Sequence, residues 1–271
     1  MFRSLGVRRD GIDLAVTDAG GEGPPVLLLH GLAGSSRELL PTAAALTDRH
    51  RVFLLDQRGH GGSTRHPSDV SRQAFVDDVA AVANRVAPGE ALTLVGQSMG
   101  AHTALLVAAQ RPDLVAGLVL LEGHPAGGAS PADAHALGRY LASWPVPFGD
   151  EMAALDFLGD SPLAAAWVAD LERTPDGLRP RFAADVMEQV MVGLAEPRWA
   201  EWEGISVPTL AVFGEHGMFS AAQMDEMVRR RPQTQRADLV GAGHDAHLDA
   251  GQAWIAVLRG FLGGSLRGSA P

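Results

Sequence analysis

Cysteine and lysine are both absent from the 271-residue sequence. The lack of cysteine excludes a disulfide, a thiolate metal site and a cysteine nucleophile, and it leaves no redox clue to the compartment. Because lysine is missing, all 22 basic residues are arginines, and 32 acidic residues outnumber them to give a formal net charge of -10. This balance argues against nucleic acid or an anionic membrane as a partner.

Long apolar runs are missing as well. No stretch approaches the roughly 20 apolar residues that span a bilayer, and polar sequence follows the N-terminal residues Met1 to Ser4 where a signal peptide would have its apolar core. We therefore expect no membrane partner and a cytoplasmic location. The length suits one domain, or one domain with an insertion.

The order of the predicted elements indicates an α/β fold. Residues 5–18 alternate between apolar and polar around Asp10-Gly11, which predicts an antiparallel edge hairpin. Buried strands are predicted at the continuous apolar runs 25–29, 51–55, 92–96, 117–121 and 207–214. Helical segments separate the first four of these runs, so a mostly parallel sheet with right-handed crossovers is expected.

Ser98 stands at the most informative turn of the chain. An apolar run ends at Gly96, one serine follows at position 98, and a helix-forming run begins after Gly100. Glycines on both sides let a strand and a helix approach closely enough to hold the serine in a strained conformation. Its hydroxyl would then project at the carboxyl end of the strand, beside the N–H of Met99 and the positive end of the helix. This is the Gly-x-Ser-x-Gly pattern of a nucleophile elbow.

Three further motifs occur in a specific order around this turn. They are His30-Gly31-Leu32-Ala33-Gly34, Asp56-Gln57-Arg58-Gly59-His60-Gly61 and Gly243-His244-Asp245. With them the chain resembles the α/β-hydrolase fold superfamily over nearly its full length. The resemblance implies a mostly parallel eight-stranded sheet with helices on both faces. It also implies a helical cap at 127–200, inserted into a core formed by 1–126 and 201–271.

The same resemblance suggests roles for individual residues. Ser98 is the expected nucleophile. His244 is the expected base, because its small-residue loop follows the last predicted strand, near 234–240; His247 is the reserve candidate. Backbone N–H groups of Leu32 and Met99 would form the oxyanion hole. His102 also lies near the serine, and we favour a buried histidine bonded to a carbonyl over a pocket residue. His30, Asp56 and Arg58 are interpreted as structural residues that brace loops.

The triad acid is the point at which this sequence departs from the family. The usual aspartate would occupy the last position of Gly214-Glu215-His216-Gly217, where a glycine stands instead. We assign the acid to Glu122, which immediately follows the strand 117–121; this resembles a variant seen in some haloalkane dehalogenases. Glu215 is the alternative acid, and the sequence also allows a protein that lacks one.

Aromatic residues are concentrated in the expected cap. Four of the five tryptophans lie in or next to it, and we predict that it covers the site and sets specificity. The predicted substrate-binding residues are Trp144, Phe148, Phe157 and Trp167. The alternative is that these side chains only form the core of the cap.

The favoured function is that of a serine hydrolase that cleaves a carboxylic ester, lactone or related acyl compound through an acyl-enzyme. The same triad would also serve a carbon–carbon bond hydrolase or a cofactor-free perhydrolase. A third hypothesis is a non-catalytic binding protein with a hydrolase fold. We expect no metal and no organic cofactor, and a small hydrophobic acyl compound as substrate. The oligomeric state stays open, with a homodimer as one option.

Overall fold

One eight-stranded sheet organises the computed structural model, which describes residues 2–127 and 130–264. Its strands are β1 Arg3–Arg9, β2 Ile12–Gly20, β3 Pro25–Leu29, β4 Arg51–Leu55, β5 Leu92–Gln97, β6 Val115–Leu121, β9 Thr209–Gly214 and β10 Gln235–Leu239. The spatial order is β1-β2-β4-β3-β5-β6-β9-β10. Strands β1, β2 and β4 pair antiparallel, and all other neighbours pair parallel.

The hairpin of β1 and β2 turns where the sequence predicts it. Asp10 and Gly11 have φ angles of 48° and 79°. Two successive positive φ values are the geometry of a tight hairpin turn whose twist matches that of the strands. The Asp10-Gly11 pair therefore explains where β1 and β2, the two strands at this edge of the sheet, are joined.

The central parallel strands are buried on both faces, which explains their unbroken apolar sequences. In β3, Leu27 and Leu29 pack in one core cluster, while Val26 and Leu28 pack in a second cluster on the opposite face. The first cluster takes side chains from helices α2 Arg72–Val86, α3 Met99–Gln110, α8 Trp199–Gly204 and α9 Ala221–Arg230. The second takes side chains from α1 Leu40–Leu46, α10 Ala246–Asp249 and α11 Gly251–Leu262.

The segment between β6 and β9 contains most of the remaining helices. These are α4 Pro131–Ala142, α5 Glu151–Leu158, α6 Pro162–Asp170 and α7 Ala184–Val192. A small antiparallel hairpin of β7 Glu172–Thr174 and β8 Gly177–Arg179 interrupts them, where the sequence predicts only helices. Residues 128 and 129 of the predicted cap lie outside the described residues, and the division into core and cap stays a prediction.

The strand order determines which loops meet at the carboxyl edge of the sheet. Because β5, β6, β9 and β10 are consecutive neighbours, the residues that follow them lie side by side. Ser98 follows β5, Glu122 follows β6, and His244 lies in the loop after β10. Within the described residues, none of the helices combines the length and apolar character needed to cross a membrane.

Candidate active site

The backbone at Ser98 is strained, and the flanking glycines make that strain feasible. Ser98 has φ 50° and ψ -113°, between the end of β5 and the first residue of α3. A Cβ at Gly96 would lie 2.2 Å from the carbonyl oxygen of Gly100, and a Cβ at Gly100 would lie 2.3 Å from that of Leu29. No larger residue fits at either position, so the strand and helix cross as closely as a nucleophile elbow requires.

His244 lies directly over this serine. Its Nε2 is 2.9 Å from Ser98 Oγ. The side chain of Gln97 stabilises the loop that carries His244. Its Nε2 donates to the carbonyl of His244 at 3.2 Å and to Asp245 Oδ1 at 3.3 Å. The residue before the serine thus positions the histidine, a role for Gln97 that our reading of the sequence missed.

Glu122 completes a hydrogen-bonded chain of three side chains. Its Oε2 lies 3.2 Å from His244 Nδ1, on the opposite side of the ring from Ser98. The carboxylate is buried, and it accepts further bonds from the N–H of Gly214 at 2.8 Å and of Met218 at 2.9 Å. The φ angle of Glu122 is 50°, a second strained position at this edge of the sheet.

Gly217 is the residue that makes room for this carboxylate. A Cβ at Gly217 would lie 2.1 Å from Glu122 Oε1 and 2.5 Å from its carboxyl carbon. Any side chain at the usual position of the family's acid would therefore collide with Glu122. The glycine at 217 and the glutamate at 122 are two parts of one arrangement.

The alternative acid, Glu215, lies elsewhere. Its side chain is exposed, and its Oε2 accepts a hydrogen bond from the N–H of Gly241 at 2.8 Å. This contact braces the turn after β9 against the loop after β10. The structure thus brings Glu122, and not Glu215, to the second ring nitrogen of His244.

The loop after β3 lies against the elbow on its other side. A Cβ at Gly31 would lie 2.1 Å from Gln97 Oε1 and 3.6 Å from Ser98 Cβ, so only glycine allows this approach. Leu32 follows immediately, and Ala33 has φ 59°. Met99 is the first residue of α3, and the first N–H groups of a helix have no partner within it. Both predicted oxyanion donors therefore belong to backbone that adjoins Ser98.

Buried polar side chains hold that loop in place. His30 Nδ1 lies 2.7 Å from the carbonyl oxygen of Gly31, and its Nε2 accepts from the N–H of Gln57 at 3.0 Å. Burial lowers the pKa of His30, which keeps the ring neutral and able to play both roles. Asp56 accepts from the N–H groups of Ser36 and Gly62, at 2.7 and 2.8 Å.

Arg58 and Asp56 bind different partners and stabilise different loops. The Arg58 guanidinium forms two bonds to the Asp78 carboxylate, at 2.6 and 2.7 Å. The two residues that we interpret as structural therefore act through separate partners.

Glu38 is a second supporting residue that the sequence analysis does not identify. Its carboxyl group is buried behind the loop after β3 that carries Leu32, which we call the oxyanion loop. A Cβ at Gly34 in this loop would lie 2.5 Å from Glu38 Oε1. Burial, with a further contribution from Asp245, raises the pKa of Glu38 to about 8. The group is therefore mostly protonated near pH 7, and it adds little negative charge beside the proposed oxyanion hole.

The other candidate histidines are not part of the hydrogen-bonded chain. The buried ring of His247 lies 4.0 Å from the Glu38 carboxylate, and burial lowers the pKa of His247 to about 4. His102 is buried too, but neither of its ring nitrogens has a hydrogen-bond partner among the described residues, contrary to the expected carbonyl. The same residues contain no group of three acidic, histidine or cysteine side chains suited to a metal ion.

The four predicted substrate-binding aromatic residues differ in how deeply they are buried, in or beside the cluster that packs against the oxyanion loop. Trp144 and Phe148 are buried in a cluster that also contains Ala33 and Met99, and Trp167 packs against it with its ring 5.3 Å from that of Trp144. Phe157 is 44% exposed, and its ring is 6.0 Å from Phe148. The cluster thus joins the predicted cap to the loop that carries Leu32.

Comparison with known proteins identifies the family. A family model of the alpha/beta hydrolase fold matches residues 24–251. A curated relative, 2-(acetamidomethylene)succinate hydrolase of Mesorhizobium japonicum, is 30% identical over 83% of this chain and 82% of its own length. The sn-1-specific diacylglycerol lipase ABHD11 of Mus musculus is 29% identical over 88% of this chain and 81% of its own.

A solved structure agrees with these matches. The crystal structure of E-2-(acetamidomethylene)succinate hydrolase superposes with a TM-score of 0.87, at 27% identity, over 97% of this chain and 99% of that one. The predicted fold class is thereby confirmed, with its eight-stranded, mostly parallel sheet. The chain belongs to the α/β hydrolase fold family, and the two curated relatives described above are hydrolases.

Proposed function

We propose that the protein is a serine hydrolase that cleaves a carboxylic ester, lactone or related acyl compound through an acyl-enzyme. The observation that carries the proposal is the unbroken chain from Ser98 Oγ through the ring of His244 to the buried carboxylate of Glu122. A serine hydroxyl becomes a nucleophile when a neighbouring base takes its proton, and the base acts best when a third group orients it.

In the first half of the reaction, Ser98 Oγ attacks the substrate carbonyl carbon while its proton passes to His244 Nε2. The negative charge that develops on the carbonyl oxygen is stabilised by the N–H groups of Leu32 and Met99. His244 then gives the proton to the leaving alcohol or amine as the carbonyl–heteroatom bond breaks. The product of this half is an acyl-enzyme on Ser98 and a free leaving group.

In the second half, His244 takes a proton from water, and the resulting oxygen nucleophile attacks the acyl-enzyme. The bond to Ser98 Oγ breaks, the proton returns to the serine, and the carboxylic acid leaves. Glu122 stabilises the imidazolium that forms in each half. The strained turn at residue 98 keeps the hydroxyl oriented while the bonds change.

The relatives support acyl cleavage over a range of substrates. They are hydrolases of an acetamidomethylene succinate and of a diacylglycerol. An acetamido group and a glycerol ester both contain an acyl carbonyl, which is the kind of carbon that the proposed triad attacks. The carbon–carbon hydrolase and perhydrolase readings remain alternatives on the same residues.

Labelling with a fluorophosphonate tests the proposal directly. An activated Ser98 should react with the probe, and mass spectrometry of the digested protein should locate the adduct at that residue. A panel of 4-nitrophenyl esters, lactones, anilides and a vinylogous diketone would then rank the reaction classes. Folded protein that takes up no label and cleaves none of these compounds would favour the non-catalytic binding reading.

The aromatic cluster above the oxyanion loop leads to a prediction about specificity. The indole N–H groups of Trp144 and Trp167 are buried without a hydrogen-bond partner among the described residues, so they can donate to a bound substrate. Alanine at Trp144, Phe148, Phe157 or Trp167 should change the ranking of acyl chains at one or more positions. We expect Trp167→Ala to be informative, because Trp167 is only half-buried and its loss should destabilise the fold less than the loss of Trp144 or Phe148.

Phe157→Ala extends the series toward the surface, because its ring packs against Phe148 but is 44% exposed. Values of kcat/KM over esters of increasing chain length provide the comparison, with thermal unfolding measured beside them. A common loss of stability with an unchanged ranking in every variant would show that the cluster is only the core of the cap.

A further inference from the structure

Three arginine side chains are buried in the described part of the chain, and one of them lacks an adequate partner. Arg58 binds the carboxylate of Asp78, and Arg231 donates to two carbonyl groups and to a threonine hydroxyl. Arg72, with 5% of its surface exposed, donates only to the hydroxyl of Thr103. Its Nε and Nη1 have no hydrogen-bond partner, and no carboxylate lies within 4.0 Å of it among the described residues.

Further donors without a hydrogen-bond partner among the described residues lie close to Arg72. Its guanidinium stacks on Phe75 at 4.4 Å from the ring centre. Nearby is the buried ring of His102, whose two nitrogens have no partner within the described part of the chain. Arg198 is also close; its Nη1 and Nη2 bind Glu201 and Glu196, while its Nε has no described partner. Burial and the charge of Arg198 lower the pKa of Arg72 to about 9, so it still carries its charge near pH 7. A buried charge without a partner is costly, so the arrangement calls for an anion.

This group of donors adjoins the proposed nucleophile. His102 lies one helical turn beyond Ser98 on α3, and its N–H donates to the Ser98 carbonyl at 3.0 Å. Four residues of helix correspond to a rise of about 6 Å. The Thr103 hydroxyl that accepts from Arg72 also lies 3.0 Å from the carbonyl oxygen of Met99. His102, and the Thr103 that holds Arg72, therefore lie about one helical turn along α3 from Ser98 and Met99.

Arg72 packs against a residue of the predicted cap. A Cβ at Gly193, at the end of α7, would lie 3.2 Å from Arg72 Cδ, so the side chain passes between the cap and α3. The 195–198 segment is joined to the loop after β6, where the N–H of Arg198 donates to the Pro125 carbonyl. A group bound to Arg72 would thus be enclosed between the core and the cap, where charged hydrogen bonds are strongest.

We propose that Arg72 and His102 form a carboxylate subsite, and that the substrate is an acyl compound with a free carboxylate a few bonds from the scissile carbonyl. This inference rests on the proposed serine hydrolase function, because it names the substrate class that Ser98 attacks. The Arg72 guanidinium presents Nε and Nη1 to the carboxylate oxygens, and the neutral ring of His102 adds one N–H. The charge of the substrate replaces the anion that the protein itself does not provide.

A pair of esters that differ only at the far end of the acyl group tests the subsite. We expect 4-nitrophenyl hydrogen glutarate to be cleaved with a kcat/KM at least about tenfold above that of its methyl ester, since charge-assisted hydrogen bonds are the stronger ones. Arg72→Met keeps much of the apolar contact with Phe75, and it should lower this charged-to-neutral ratio by about 10- to 100-fold.

Arg230→Met is the control for the change of charge. Arg230 also stacks on an aromatic ring, 4.1 Å from the centre of Trp199, but it lies on the surface and pairs with Glu226. Its ratio should equal that of the wild type. If Arg72→Met does not fold, the wild-type preference and His102→Leu decide, with a several-fold drop in the ratio expected. A wild type that prefers the neutral ester, or an Arg72→Met ratio equal to that of wild type, would overturn the subsite.

A binding experiment separates this inference from the proposed function. At constant ionic strength, monomethyl glutarate should raise the melting temperature of the Ser98→Ala protein, which lacks the proposed nucleophile and leaves these esters intact, whereas dimethyl glutarate should not. Arg72→Met in the same background should lose the difference. This readout needs no turnover, so a protein that binds the anion but cleaves no ester would retain the subsite and reject the hydrolase. Equal shifts with the charged and neutral compounds would reject the subsite alone.

Discussion

Replacing Ser98 with alanine should reduce kcat by about 10⁴-fold or more, the scale of loss seen when a triad member is deleted. The fold should survive, because alanine keeps the Cβ that the strained φ of 50° already accommodates and removes only the hydroxyl. The described bond that is lost is the one to His244 Nε2, at 2.9 Å. Steady-state kinetics beside circular dichroism and thermal unfolding would check both halves of the expectation.

A double variant makes this test sharper. When residues act as one catalytic unit, the effects of replacing them on kcat do not add. The kcat of Ser98→Ala/His244→Ala should therefore be little lower than that of Ser98→Ala alone. The activity that remains would come from substrate binding and from the N–H groups of Leu32 and Met99. If Ser98→Ala retained even a tenth of wild-type activity, Ser98 would not be the nucleophile.

The fold could be predicted because its physical causes are local in the sequence. A strand that is covered on both faces must be apolar at every position, and β3 shows this with four buried residues from Val26 to Leu29. The glycines at 96 and 100 reveal the elbow for an equally local reason, since neither position tolerates a Cβ. The spacing of these glycines predicts an elbow at Ser98 only together with the apolar strand before them and the helical run after them.

The supporting residues could not be found in this way, because they depend on contacts between distant parts of the chain. Gln97 reaches a loop 147 residues further on, and Arg72 meets Thr103 across 31 residues. Glu38 looks like a surface glutamate in a short helix until the packing of the oxyanion loop buries it. Side-chain direction and burial of this kind follow from tertiary packing, which a periodic pattern does not encode.

Gly217 lies between these two situations. The sequence shows that a glycine stands where the family's acid is expected, but it does not show what fills the space. The structure shows that Glu122 enters from the neighbouring strand and places its carboxylate 2.1 Å from where a Cβ at 217 would be. An unexpected glycine in a motif is therefore informative, because it indicates that another side chain occupies the vacated volume.

Replacing Glu122 with glutamine should reduce kcat by roughly 10² to 10⁴-fold, since the comparable change of the triad acid in a serine protease costs about 10⁴. Glutamine fits the same volume, but its single carbonyl oxygen can accept from only one of the N–H groups of Gly214 and Met218, which bond to different oxygens of the Glu122 carboxylate. It lacks the negative charge that stabilises the imidazolium of His244, and its amide can turn an N–H toward the ring and favour the wrong tautomer.

Glu215→Gln is the matched control, because it makes the same chemical change two residues from the usual acid position. Its carboxylate accepts only from the N–H of Gly241 among the described contacts, and an amide oxygen can do the same. We expect kcat within a few-fold of wild type. A severe loss in Glu215→Gln beside a nearly normal Glu122→Gln would show that the acid had been assigned to the wrong residue.

Moving the acid back to its usual place tests the same idea without relying on loss of function. Gly217→Asp alone should impair folding or activity, since its Cβ would meet the Glu122 carboxylate. In Glu122→Gly/Gly217→Asp the collision is gone, and glycine suits the φ of 50° at position 122. The new carboxylate would start from the volume that the old one occupied, within reach of His244 Nδ1. We expect the double variant to recover at least about tenfold in kcat over Glu122→Gly, by restoring a charged partner to the histidine; no recovery in a folded protein would mean that Glu122 acts through more than its charge.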